Sequence, residues 1–185
     1  MQTVVVGWQA RRWWPAAHNL GRALAALRGG AHAVLLVRGT GQRAYRHALY
    51  PTDFSGASLD RLRQAMRVLP RLRLTLLHLC RMCGQGRLQA AGVSVDTLDA
   101  CRRRAEGTAR AAGVRFAARA ACESRLAVLM LREPWTLAVA GYANMVRPDV
   151  LVLPAGPAGR WRGAMWRAAL RVVLARTDCD VLLLA

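Results

Sequence analysis

The chain has 185 residues, of which 54% are hydrophobic and 21% are charged. This composition excludes an intrinsically disordered protein and is sufficient for the core of one domain, or of one domain plus a fragment. All 28 basic residues are arginine and only 10 residues are acidic, so the net charge is +18. Because lysine is absent, part of this charge reflects a compositional preference for arginine, which weakens nucleic-acid binding as its explanation.

The compartment is predicted to be the cytoplasm. The apolar runs are far shorter than the roughly 20 residues of a membrane-spanning helix, and the opening MQTVVVG lacks the cationic segment of a signal peptide. The five cysteines are an odd number without the spacing of a disulfide framework, so reduced thiols are expected.

Short runs rich in Val and Leu alternate with stretches of helical character, which predicts an α/β protein with a mainly parallel sheet. The runs are apolar almost throughout, as expected for strands that are covered on both faces of a doubly wound sheet. The predicted strands are Thr3–Val6, Ala33–Val37, His47–Tyr50, Leu72–Leu79, Val114–Ala121, Val150–Leu153 and Val181–Leu184.

The helices between these strands are predicted from apolar spacing. One amphipathic helix carries Leu59, Leu62 and Ala65 on one face, with Ser58 as its N-cap. A Gly- and Gln-rich loop over 84–92 precedes a second helix over 95–112. Farther on, an apolar piece over 126–131 and a helix opened by Pro134 are expected. The whole region from 120 to 146 gives the weakest pattern.

An internal repeat relates the two ends of the chain. A shift of 147 positions aligns residues 4–37 with 151–184 without a gap, and seven of these 34 positions are identical. The repeat predicts that residues 1–45 are a truncated strand–helix–strand remnant of a preceding domain plus a linker, followed by one complete domain at 46–185. A chance match between two strand–helix–strand units is the alternative.

Two segments resemble the universal stress protein family. HALYPTDFSGAS at 47–58 resembles the opening of such a domain, and RPDVLVLPAG at 147–156 resembles its fourth strand. The resemblance covers 46–185 and implies a Rossmann-like sheet of the adenine-nucleotide alpha-hydrolase type with strand order 3-2-1-4-5. It also implies a nucleotide crevice at the carboxyl ends of strands 1 and 4, with Thr52 at its edge and Asp53 against the adenosine part of ATP.

The phosphate loop that the resemblance implies is incomplete. The family's nucleotide-binding pattern resembles G-x2-G-x9-G-[ST], and Gly156 and Gly159 match its first half. Its second half falls on 169–170 or 167–168, where this chain has neither the glycine nor the hydroxyl. Arg160 and Arg162 are candidates to contact phosphate in place of the missing donors, and the alternative is that both are solvated.

Other groups favour structural roles. His78, Cys80 and Cys83 contain a C-x2-C, but a second pair of ligands is missing, so core packing is expected and no metal is predicted. The segment from Arg11 to Trp14 mixes cations with indoles and is expected to be a linker into a helix. No arrangement of nucleophile, base and acid stands out, so no catalytic residues and no enzyme are predicted.

The sequence therefore predicts a divergent, non-enzymatic universal stress protein that acts in stress response or regulation, with a degraded nucleotide-binding loop and no cofactor. One alternative is an ATP- or AMP-binding switch, and another is an arginine-rich binder of nucleic acid or another polyanion. No membrane is expected, and nucleic acid is not the expected partner. The expected assembly is either a homodimer through the C-terminal strand or an intramolecular pairing of that strand with the N-terminal fragment.

Overall fold

The computed structural model describes residues 3–8, 13–38, 44–70, 72–80, 92–131, 134–156 and 160–185, and only the backbone of 8, 13–18, 160 and 161. In chain order the elements are β1 Thr3–Trp8, α1 Trp13–Arg28, β2 Ala33–Arg38, β3 His47–Pro51, α2 Gly56–Val68, β4 Arg73–Cys80, α3 Val95–Ala120, β5 Ser124–Met130, α4 Trp135–Val146, β6 Val150–Pro154, α5 Arg160–Arg176 and β7 Asp180–Leu184. Strands and helices alternate, as the sequence predicts, except that β2 and β3 are consecutive elements.

The strands form one seven-stranded sheet in the order β1-β2-β7-β6-β3-β4-β5. The five strands β3 to β7 are strands 1 to 5 of the predicted domain, and read from the other edge they have the order 3-2-1-4-5. They are all parallel. The predicted fold class is therefore confirmed.

The N-terminal strands extend this sheet beyond β7. β1 is parallel to β2, and β2 is antiparallel to β7, with Leu35 paired with Leu182. The intramolecular arrangement is thus the one that the structure shows. It corrects the alternative of a homodimer through the C-terminal strand, because β6 and β2 occupy both edges of β7 within one chain.

The predicted repeat coincides with the observed elements. A shift of 147 positions carries β1 onto β6, α1 onto α5 and β2 onto β7, and each element starts at the equivalent residue. The division into a remnant at 1–45 and a domain at 46–185 remains a prediction, because a shared sheet does not by itself mark a domain boundary.

The strand predicted at Val114–Ala121 is wrong, since these residues continue α3 to Ala120. The buried positions Ala109, Gly113, Phe116 and Ala120 are spaced three or four residues apart, which is the period of a helix face. The strand that follows is β5, which contains residues 126–130 of the apolar piece predicted over 126–131. The helix after Pro134 is α4, as expected.

Two hydrophobic cores lie on opposite faces of the sheet. One is formed by α1, α4 and α5, with buried residues such as Leu20, Val139 and Leu170. The other is formed by α2 and α3, with Leu62 and Phe116. Among the described residues, no helix combines the length and apolarity needed to cross a membrane.

Candidate functional site

The candidate crevice lies where the strand order reverses. β3 continues through α2 to β4 on one side, whereas its other neighbour, β6, comes much later in the chain. β3 and β6 pair in parallel through Ala48–Val150 and Leu49–Leu151, so both strands end at the same edge. Ligands of open α/β sheets bind at the carboxyl edge at such a reversal. The edge therefore carries Thr52 after β3 and Gly156 after β6.

Three groups of Thr52 form hydrogen bonds within the protein. Its N–H donates to the carbonyl oxygen of Leu77 (2.9 Å), and its Oγ1 accepts from the N–H of Phe54 (3.0 Å). Its carbonyl oxygen accepts from Nδ1 of His78 (2.9 Å). Thr52 is buried, so its hydroxyl and backbone serve the local structure.

Asp53 is hydrogen-bonded to two serines at the start of α2. Its Oδ1 accepts from the N–H of Ser55 (3.0 Å) and from the hydroxyl of Ser58 (2.8 Å). Ser55 is the observed N-cap, and its Oγ accepts from the N–H of Ser58 (3.1 Å). The predicted N-cap at Ser58 is therefore wrong by one turn, since Ser58 lies inside the helix and is buried.

The carboxyl of Asp53 is stabilised in its charged form. Partial burial alone would raise its pKa, but the hydrogen bonds from Ser55 and Ser58 outweigh burial and hold the pKa below its ordinary value of 3.8. Asp53 is thus an anion at neutral pH. Its side chain is exposed, but Oδ1 already accepts two hydrogen bonds within the loop.

Phe54 completes this loop in a left-handed conformation with φ of 61°. Its ring stacks on His78 with a centroid separation of 4.4 Å and an interplanar angle of 18°, and it lies 5.5 Å from the ring of Phe116. A bulky residue in this region of φ is strained, so these ring contacts hold the loop in place.

Gly156 lies directly under an indole. Its φ of 114° favours glycine, and a β-carbon placed there would overlap the ring of Trp166. Trp166 Nε1 donates to the carbonyl oxygen of Pro154 (3.2 Å), and its ring stacks on Trp135 at 5.0 Å and 12°. The end of β6 is therefore covered by two half-buried tryptophans from α4 and α5.

The second half of the predicted phosphate loop lies inside a helix. α5 begins at Arg160, so residues 167–170 fall in its second and third turns. Backbone N–H groups there are used by the helix, and Leu170 is fully buried in the core. Gly159 lies outside the described residues, as does Cys83. Arg160 begins α5, and the side chain of Arg162 is exposed.

The structure brings Thr52 and Asp53 to the same edge as Gly156, Arg160 and Arg162. The sequence patterns did not point to Trp135, Trp166 or the Phe54–His78 stack. The signal for Trp166 was available, because it lies four residues before the buried Leu170 on the same helical face. Its contact with Gly156 depends on packing and is not readable from spacing.

Several solved structures share this fold. No family model and no curated protein matches the chain. A universal stress protein from Archaeoglobus fulgidus aligns at 13% identity and TM-score 0.59, covering 99% of this chain and 60% of its own. A functionally unknown protein from Pseudomonas aeruginosa aligns at 16% identity and TM-score 0.59, covering 98% of this chain and 62% of its own. The chain has the universal stress protein fold.

A shorter structure matches part of the same fold. The universal stress protein UspA from Lactobacillus plantarum aligns at 19% identity and TM-score 0.52, covering 78% of this chain and 100% of its own. The chain thus spans about three-fifths of the two longer structures and contains the full length of the shorter one. At these identities the universal stress fold is shared, and residue roles must be argued from this chain's own contacts.

Proposed function

We propose that this protein is a divergent universal stress protein that acts as a non-enzymatic regulatory module, with a crevice that has lost tight nucleotide binding. The observation that carries the proposal is the packing of Trp166 on Gly156. The indole, stacked on Trp135, covers the end of β6, where a phosphate loop would need backbone N–H groups open to a ligand.

The hydrogen bonds of Thr52 and Asp53, the residues expected near adenosine, support the same proposal. Oδ1 of Asp53 accepts from Ser55 and Ser58, so a nucleotide would compete with the cap of α2 for this oxygen. Thr52 has its hydroxyl, N–H and carbonyl oxygen all in hydrogen bonds within the protein. A ligand that used Thr52 or Oδ1 of Asp53 would therefore replace existing bonds, with a small net gain in free energy.

An ATP- or AMP-binding switch is the second candidate function. It is favoured by the N-terminus of α5, which begins at this edge with Arg160 and has Arg162 exposed in its first turn. Helix N-termini and guanidinium groups both attract phosphate. In this candidate, Asp53 would hold the adenosine side, and Gly156 and Gly159 would belong to the phosphate loop.

Isothermal titration calorimetry with ATP and Mg²⁺ separates the two candidates. The regulatory module without nucleotide predicts no saturable heat up to about 1 mM ATP, which corresponds to about 4 kcal/mol of binding free energy. The switch predicts saturable binding that weakens in Asp53→Ala and Arg162→Ala. Arg171→Ala changes an exposed arginine nine residues farther along α5; it is the matched control and should leave such binding unchanged.

A further inference from the structure

Five exposed arginines converge on the amino edge of the sheet, opposite the candidate crevice. Each comes from a different element: the residue before β3, the last turn of α2, the first residue of β4, the last turn of α3, and β5. These amino-edge arginines are Arg46, Arg67, Arg73, Arg119 and Arg125. We propose that this edge binds the phosphate backbone of a nucleic-acid duplex.

The backbone bonds and strand register show that the five lie close together. The N–H of Arg73 donates to the carbonyl oxygen of Arg46 (2.7 Å). Arg125 pairs with Thr75, two residues after Arg73 on the neighbouring strand, which puts the two arginine Cα atoms about 8 Å apart.

The C-terminal ends of α2 and α3 lie at the same cluster of arginines. The guanidinium of Arg63 donates from Nη2 to the carbonyl oxygen of Arg119 (2.8 Å), which ties the end of α3 to α2. Arg67 lies one turn farther along α2, in its last turn. The cluster therefore spans the ends of both helices and three adjacent strands, β3, β4 and β5.

Acidic side chains at the amino edge lie mainly beside β6 and β7, where Asp149, Asp178 and Asp180 are found. The carboxylates of α3 are all in its first half, whereas residues 107–120 carry three arginines and no acid. At the edge itself Glu123 is exposed, and Oδ2 of Asp149 accepts from the N–H groups of Arg46 and His47. None of the five forms an ion pair with a carboxylate in the described part of the chain. The five arginines outnumber the carboxylates beside them, and such an excess of positive charge attracts a polyanion.

The geometry favours a duplex over a single strand or a membrane. Single-stranded nucleic acid is held by aromatic stacking as well as charge, and Tyr45, an aromatic residue beside this edge, is half-buried with its hydroxyl donated to Asp180 (2.6 Å). Membrane-surface binding uses an amphipathic helix lying along the bilayer, whereas α2 and α3 meet this edge with their ends. Phosphates on the outside of a duplex match arginines alone.

This proposal departs from the expectation that nucleic acid is not the partner. The sequence shows how many arginines there are, but only the strand register shows that five of them lie at one edge of the sheet. The proposal is independent of the proposed function, because the amino edge and the candidate crevice are at opposite ends of the strands.

The test measures binding of a fluorescein-labelled 20-base-pair DNA duplex by anisotropy at 50, 100 and 200 mM salt. The edge variant replaces three cluster members: Arg67→Gln, Arg73→Gln and Arg125→Gln. The matched control removes the same charge from exposed arginines on other surfaces: Arg22→Gln, Arg104→Gln and Arg171→Gln. A third protein carries Lys at the three edge positions and keeps the charge.

We expect the edge variant to bind about tenfold more weakly at 100 mM salt and to lower the slope of log affinity against log salt by about 2.7, as for three lost phosphate contacts. The control should change affinity less than threefold, and the Lys variant should keep the slope. The proposal is overturned by equal losses in the edge variant and the control, by no salt-dependent binding, or by binding to phosphatidylserine vesicles without binding to the duplex.

Discussion

Leu35 of β2 and Leu182 of β7 face each other across the antiparallel junction, and they are also equivalent residues of the internal repeat. Their neighbours pair symmetrically about them, Val34 with Leu183 and Leu36 with Val181. A local pseudo-twofold axis therefore passes between Leu35 and Leu182. It relates β1–α1–β2 to β6–α5–β7 and places α1 beside α5 on one face of the sheet.

This junction should contribute strongly to stability. Leu35 is 8% exposed and Leu182 is fully buried, so each Leu→Ala change should cost about 2–5 kcal/mol of unfolding free energy. Urea denaturation of the single and double variants should show coupling of at least about 0.5 kcal/mol, because the residues touch across the junction. The control is Leu24→Ala combined with Leu182→Ala, since Leu24 packs in the core on the other face. Equal coupling in both pairs would contradict a direct contact.

The repeat also supplies a matched pair of valines in different surroundings. Val5 of β1 is 64% exposed, whereas its equivalent, Val152 of β6, is fully buried. Val152→Ala should lower the unfolding free energy by about 2 kcal/mol, and Val5→Ala should change it by less than about 0.5 kcal/mol. Comparable losses in urea denaturation would mean that β1 is covered in solution.

The contact between Gly156 and Trp166 predicts a steric penalty beyond that of backbone strain. Gly156→Ala should destabilise the protein more than Gly30→Ala, whose φ of 100° is similar but whose surroundings are open. Strain alone should cost about 1–2 kcal/mol at both sites. Thermal and urea unfolding measure the difference, and the account fails here if the two substitutions cost the same.

Asp53 should make stability depend on pH. Its pKa in the folded protein is below the ordinary value of 3.8, so its contribution is complete well above pH 3.8 and is lost as the pH falls through the folded-state pKa. Asp53→Asn should therefore destabilise the protein at pH 7 and have a smaller effect at pH 3. Asp60→Asn, an exposed residue whose partner is Arg63, is the control. An unchanged effect of Asp53→Asn at both pH values in urea denaturation would contradict a stabilising role of the charged carboxylate.

The cysteines should differ in reactivity. Burial raises the pKa of the Cys179 thiol to about 11, so almost none of it is the reactive thiolate at pH 8. Cys101 is exposed on α3. Iodoacetamide labelling followed by mass spectrometry should modify Cys101 well before Cys179 in the folded protein and both alike in urea. Early modification of Cys179 would show that its surroundings open in solution.

The alternating elements and the repeat were predictable because they follow from strong local patterns, whereas the strand order was implied by the resemblance of residues 46–185 to the universal stress protein family. Val114–Ala121 was misassigned because a short run with valine and phenylalanine resembles a strand, while its buried residues have helical spacing. Gly113 belongs to the same face, where a β-carbon would overlap the side chain of Leu126. The Trp166–Gly156 contact was not predictable, since it joins a helix to a strand end through packing alone.

The central claim is that Trp166 covers the strand end where a nucleotide would bind, and indole N–H resonances measure this most directly. In a two-dimensional spectrum of ¹⁵N-labelled protein, Trp166→Phe identifies the signal of the Nε1–H that donates to Pro154. The account predicts that this signal stays in place as ATP and Mg²⁺ are added to about 1 mM. A saturable shift that disappears in Asp53→Ala would contradict it.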